Sequence, residues 1–170
     1  FGDESRKNKS QDRWRITVSQ LETSSIVVRA LHTIQGDGID VYAFFIKGAE
    51  IVKVADISRI ERDNGGELKG FQRPEIRNHV KGITEYLNHG NVLFPNAIIL
   101  AMSPQVRFVA SRGTKPTGDQ GIAQTGTLTI PADRFRKRVA WIVDGQQRSL
   151  ALAKAANQDI IVPVIGFVSD

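Results

Sequence analysis

The residues in this chain best suited to chemistry are Asp144, Gly145, Gln146, Gln147 and Arg148, standing between an apolar run at 139–143 and an alanine-rich run at 149–157. The first run reads as a strand and the second as a helix, which puts the five residues on a strand-to-helix turn. A glycine there lets backbone approach a ligand closely. The first N–H groups of a helix have no partners inside it, so they can converge on an anion. The expected chemistry is therefore phosphate binding. Gly145, Gln146, Gln147 and Arg148 supply backbone N–H groups, Arg148 adds a forked permanent cation, and Ser149 can donate a further hydrogen bond. Asp144 can hold a metal ion, orient a water, or only cap the helix. On a plainer reading, Asp-Gly is an ordinary turn and Arg148 pairs with Asp144 across it.

A second turn has related chemistry. Gly70, Phe71, Gln72 and Arg73 lead into a helix that opens on Pro74, repeats Ile76, Val80, Ile83 and Leu87 at helical spacing, and stops at Asn88-His89-Gly90. Two helix N-termini facing one cleft would hold opposite sides of a polyphosphate, with Gln72 and Arg73 on the second side. Capping and solvation are the simpler roles for both. Other chemistries find less support. His32, His79 and His89 lack metal-ligand spacing with a carboxylate, and no Gly-x-Ser-x-Gly elbow or Walker sequence occurs. Residues 113–118 resemble a phosphate loop only superficially.

The elements that must position these turns follow from pattern. Residues 1–12 read as a polar, mobile tail and 13–170 as one domain, with apolar and polar residues alternating at 14–18. The β-rich runs at 25–31 and 39–46, joined through glycines at 35–38, predict a hairpin. Residues 47–56 fit a short helix or a strand, and 62–66 a turn. Residues 97–102 and 106–110 fit buried strands, 111–126 a mobile surface loop, and 160–168 a strand that Pro163 would favour at an edge or bulge. Ala151, Ala153, Ala155 and Ala156 would permit close helix-to-sheet packing. The expected class is α+β, a mixed sheet with a few packed helices.

With 170 residues and 41% hydrophobic content the chain can bury one core. It has no apolar run of membrane-spanning length, and residues 1–15 are unlike a signal peptide, so a cytoplasmic setting without a membrane partner is expected. The absence of cysteine removes disulfides, thiolate zinc sites and cysteine nucleophiles. The net charge of +5, clustered at residues 6–15 and 134–138, makes nucleic acid a plausible partner, with Trp14 and Phe135 able to stack on bases. Solvated loop faces would account for the same clusters equally well.

The Asp144–Arg148 sequence resembles the signature of the DGQHR-motif family, ParB/sulfiredoxin-like proteins that accompany bacterial DNA-modification systems. The resemblance extends in order and spacing to Gly70-Phe71-Gln72-Arg73-Pro74, to Leu93-Phe94-Pro95-Asn96-Ala97 and to Gly126-Thr127-Leu128, covering about residues 40–168. Gln147, where DndB-type phosphorothioation proteins carry His, looks most like the DpdB branch, linked to insertion of 7-deazaguanine bases into DNA. The resemblance implies a ParB/sulfiredoxin-like fold and a nucleotide-binding protein that hydrolyses ATP with Mg²⁺. It implies Asp144 and Arg148 as catalytic, Asp144 as the metal ligand, and Arg62 and Asp63 as lesser candidates. The implied partners are DNA, a transglycosylase-like DNA-modifying enzyme, and a second copy of the chain. ParB-like relatives use CTP, so the nucleotide stays open. Two other readings follow from the same likeness: a non-enzymatic DNA-binding regulator of DndB type, and the NTP-sensing domain of a modification-dependent restriction enzyme of the DUF262 group. Members of the family are usually longer, so the chain can be one domain of a larger protein.

Overall fold

The computed structural model describes residues 24–57, 74–114, 118, 120–132 and 138–169. The tail at 1–12, the alternating run at 14–18, the turn carrying Arg62 and Asp63, the loop carrying Gln72 and Arg73, and Phe135 lie outside the described residues.

Two β-branched runs form the hairpin the sequence predicts, β1 (Ser25–Gln35) against β2 (Ile39–Lys47), with Gln35 opposite Ile39. Three residues close it, and Gly36 and Gly38 take φ of 53° and 92°, a region side chains disfavour. The ambiguous run that follows divides into α1 (Gly48–Val54), which buries Ile51 and Val54, and the two-residue strand β3 (Ala55–Asp56). Helix α2 (Pro74–Leu87) buries Val80 and Leu87 and ends before Gly90 at φ 99°. Then come β4 (Ile98–Met102), β5 (Arg107–Ala110), β6 (Gln124–Pro131), β7 (Ala140–Asp144), α3 (Gln146–Lys154) and β8 (Ile161–Val168).

All eight strands join one sheet in the order β3-β7-β4-β8-β2-β1-β6-β5, parallel at β3/β7 and β4/β8 and antiparallel elsewhere. This is the expected α+β class with a mixed sheet. Residues of alternating parity, including Phe44, Ile98, Leu100, Leu128, Ile142 and Val164, form one buried cluster with Ile51, Val80, Leu87, Ala151 and Leu152 of the helices. The helices therefore cover one face of the sheet. At the far end of that face His32 meets Asp40 at 2.6 Å and lies against the rings of Tyr42 and Phe108. Burial, and secondarily Asp40, raise the Tyr42 phenol above its ordinary pKa.

Several expectations need correction. The run at 160–168 is an interior strand, not an edge: β8 lies between β4 and β2. Pro163 is tolerated because the β4 ladder begins one residue later, at Ile98 opposite Val164, so no rung of that ladder needs its N–H. The run at 106–110 is the opposite case, since β5 is an edge strand with Val109 exposed, not a buried one. Of the four alanines, Ala151 and Ala155 are buried, while Ala153 and Ala156 face solvent. No helix among the described residues is long and apolar enough to cross a membrane.

Two glycines should respond oppositely to the same substitution. A Cβ at Gly126 would collide with the Phe108 ring and sit 2.5 Å from the Val109 carbonyl oxygen, whereas at Gly82, on the exposed side of α2, it meets nothing within 4 Å. Gly126→Ala is expected to destabilise by about 1–3 kcal/mol, and Gly82→Ala to stabilise by about 0.5–1 kcal/mol through helix propensity. Urea denaturation midpoints check both.

Candidate functional site

Strand β7 ends at Asp144 and α3 begins at Gln146, so a single residue, Gly145, makes the whole turn. Its φ of 89° and ψ of 20° are left-handed, and a Cβ there would stand 2.5 Å from Ile98 Cδ1. Conformation and space both require glycine. The helix starts three residues earlier than the alanine-rich run suggests, which places Gln146, Gln147 and Arg148 in its first turn. The Ser149 N–H donates to the Gly145 carbonyl at 2.8 Å, the first bond of the helix, and no side chain caps the N–H groups ahead of it. These are the donors that the sequence singles out for phosphate.

Arg148 has a structural role. Nη1 donates to the carbonyls of Asn96 (2.9 Å) and Ala97 (3.3 Å), Nη2 donates to Asp144 Oδ2 (3.1 Å), and the guanidinium lies 5.9 Å from the centre of the Phe94 ring. The plain-turn reading, an Asp144–Arg148 pair, is thus present in the structure. Three of the five guanidinium N–H groups are used, which leaves two to donate elsewhere. Asp144 is 70% exposed and gives one carboxylate oxygen to the pair.

The segment at 92–97 is held at its other end as well. The Tyr86 hydroxyl donates to the Leu93 carbonyl at 3.0 Å and accepts from the Leu93 N–H at 3.2 Å. Tyr86 and Arg148 between them fix a short strap. A cleft of about 610 Å³ opens between this strap, α2 and the turn. His79, Ile83, Tyr86 and Leu87 form the α2 wall, Leu93, Phe94, Pro95 and Asn96 the strap wall, and Asp144 to Arg148 the floor of polar groups. One side is apolar and aromatic, and the other carries N–H donors, a cation and a carboxylate. That division suits a ligand with a flat organic part and an anionic part.

The predicted residues are placed as follows. Asp144, Gly145, Gln146, Gln147 and Arg148 all line the cleft, although Gln146 turns its amide back to the Ile142 carbonyl at 3.3 Å. Ser149 is fully buried behind the turn, its hydroxyl without a hydrogen-bond partner, and it is not part of the cleft wall. Gln72 and Arg73 lie outside the described residues; what α2 contributes to the cleft is its middle and last turn. Among the described residues no three His, Asp or Glu side chains gather as a metal cluster. Arg138, from the basic run, is tied to Asp56 at 2.6 Å. Residue-by-residue reading missed His79, Tyr86, Phe94 and Asn96. The available signal was the face shared by His79, Ile83, Tyr86 and Leu87 at helical spacing.

The fold and the cleft define an α+β domain that carries, among its described residues, a candidate site built on a strand–glycine–helix turn. A family model described as DndB, DNA-sulfur modification-associated, matches residues 28–168, so the chain belongs to the DndB family. Neither a curated protein nor a solved structure matches the chain. Membership associates the protein with a DNA-modification system, as the resemblance implied.

Substitutions in the turn should be felt in stability before any ligand is considered. Gly145→Ala is expected to cost about 1–3 kcal/mol from strain and overlap. Arg148→Ala should cost about 1–3 kcal/mol through loss of charge-assisted bonds to the strap, with faster amide exchange at Phe94, Asn96 and Ala97. Arg148→Lys should recover little, since one ammonium cannot reproduce the fork. Thermal unfolding and hydrogen exchange measure these effects.

Proposed function

We propose that the cleft binds a nucleoside triphosphate and that the protein hydrolyses it, as ATP with Mg²⁺, in support of a DNA-modification complex. The observation that carries this reading is the convergence of uncapped N–H groups at Gln146, Gln147 and Arg148 with an apolar, aromatic wall across one cleft. The phosphates would lie on the turn, and the two remaining Arg148 N–H groups would stabilise charge on the transferred group. The base would lie toward Phe94 and Ile83. Arg73 is assigned the far side of the phosphates by resemblance alone.

The donor set fits Mg²⁺ bound in the usual way for nucleotide sites, through one carboxylate with phosphate and water completing the shell. Asp144 would hold it, and the ion would supply neutralisation of phosphate charge. The branch that inserts 7-deazaguanine, and with it a transglycosylase-like partner, is assigned from the resemblance of Gln147 alone.

A second reading is consistent with the family description and with the net charge of +5: a DNA-binding regulator without enzymatic activity, in which the same turn grips backbone phosphate. Phosphate release from ATP and CTP with Mg²⁺ separates the two. The full chain should turn over one of them, and Asp144→Asn should lose at least about tenfold while unfolding close to the wild-type temperature. A folded wild type that neither binds nor hydrolyses either nucleotide, yet binds DNA with steep salt dependence, would establish the regulator instead.

A further inference from the structure

Helices α2 and α3 pack side by side, and on the flank away from the cleft they leave a trough of about 470 Å³. Its floor is largely apolar: Ile76, Val80 and Thr84 stand one helical turn apart along α2, and Leu150 lines it from α3. The Thr84 hydroxyl donates to the Val80 carbonyl at 2.9 Å, so its polar group is spent inside the helix. The rims are cationic. Arg77 and Lys81, again one turn apart, flank the floor on α2, and Lys154, one turn on from Leu150, flanks it on α3. All three are exposed, and no carboxylate among the described residues lines the trough.

Helix stability does not account for that arrangement. A cation in the last turn of α3 is favoured by the helix dipole, but Arg77 stands at the amino-terminal end of α2, where the dipole opposes one. Lys81 reaches Glu85 at 3.7 Å, an exposed pair of the weak kind that a competing carboxylate can replace. We infer that the trough docks an acidic amphipathic helix of a partner protein, with apolar residues against Ile76, Val80 and Leu150 and carboxylates against the cations on both rims. Charge complementarity selects an anionic occupant. The apolar floor selects one with hydrocarbon to bury, which the phosphate backbone of a DNA duplex lacks. The helical backbone along the trough offers no row of free N–H and C=O groups, as a sheet edge would, so the occupant must satisfy its own by being a helix. From Ile76 to Thr84 the floor runs about 12 Å at about 1.5 Å per residue, and about two to three turns of helix cover it. The described helices of this chain are neutral or basic, so a second copy does not supply the occupant. Trough and cleft share no described residue, and docking does not depend on the nucleotide reading.

Fluorescence anisotropy tests it, with the full chain titrated into a labelled synthetic helix that carries leucine at i, i+4 and i+7 and glutamate between them. A Kd of about 10–100 µM is expected, weakened at least about tenfold in Arg77→Glu/Lys154→Glu and unchanged in Arg107→Glu, on the edge strand β5. Replacing the leucines of the peptide by serine should abolish binding at unchanged charge. All three substituted positions are exposed, so folding should survive, and far-UV circular dichroism checks that. No binding by the wild type up to about 1 mM, or equal weakening by Arg107→Glu, overturns the proposal. So does a serine peptide or a DNA duplex that binds as tightly as the leucine peptide and is lost in the same double variant, in which case the rims are a patch for polyanions.

Discussion

One left-handed residue governs the site. Because Gly145 alone turns β7 into α3, the first N–H groups of the helix emerge beside the last residue of the strand, and Asp144 flanks them. The same short turn places Arg148 four residues after Asp144, one helical turn on, where its guanidinium reaches both the carboxylate and the strap at 96–97. A longer loop would relax both relations. The backbone strain is confined to the residue type that bears it without cost, and the close contact with Ile98 anchors the turn to the central strand β4.

Arg148 therefore acts in two ways. The exposed ion pair with Asp144 contributes little by itself, about 0–1 kcal/mol, while the paired bonds to the Asn96 and Ala97 carbonyls organise the cleft wall. An arginine already fixed by its own protein loses less freedom when an anion arrives, so restraint and function are compatible. Tyr86 does for the start of the strap what Arg148 does for its end. The aromatic wall at Phe94 is set by both.

How much of this was legible depended on which interactions were local. The hairpin, α2 and the Asp144 turn follow from glycine placement and short periodicities, and each stands where the sequence put it. Strand order did not follow: β8 is central and β5 an edge because pairing is decided by contacts far apart in the chain, which Pro163 and the apolar character of 106–110 do not encode. The start of α3 was hidden because Gln146, Gln147 and Arg148 carry no apolar periodicity. The cleft's strap was invisible to residue chemistry for a related reason. Tyr86 and Phe94 read as packing residues until Arg148, more than fifty positions away from Phe94, is seen to reach the same segment.

The most direct measurement is the change in backbone amide shifts of the full chain as a nucleoside triphosphate with Mg²⁺ is titrated in. Phosphate on the helix terminus requires saturating shifts at Gly145, Gln146, Gln147 and Arg148, accompanied by Leu93 and Phe94 on the facing strap. Saturating shifts that leave the turn untouched, or none at millimolar nucleotide, contradict a nucleotide site at this position.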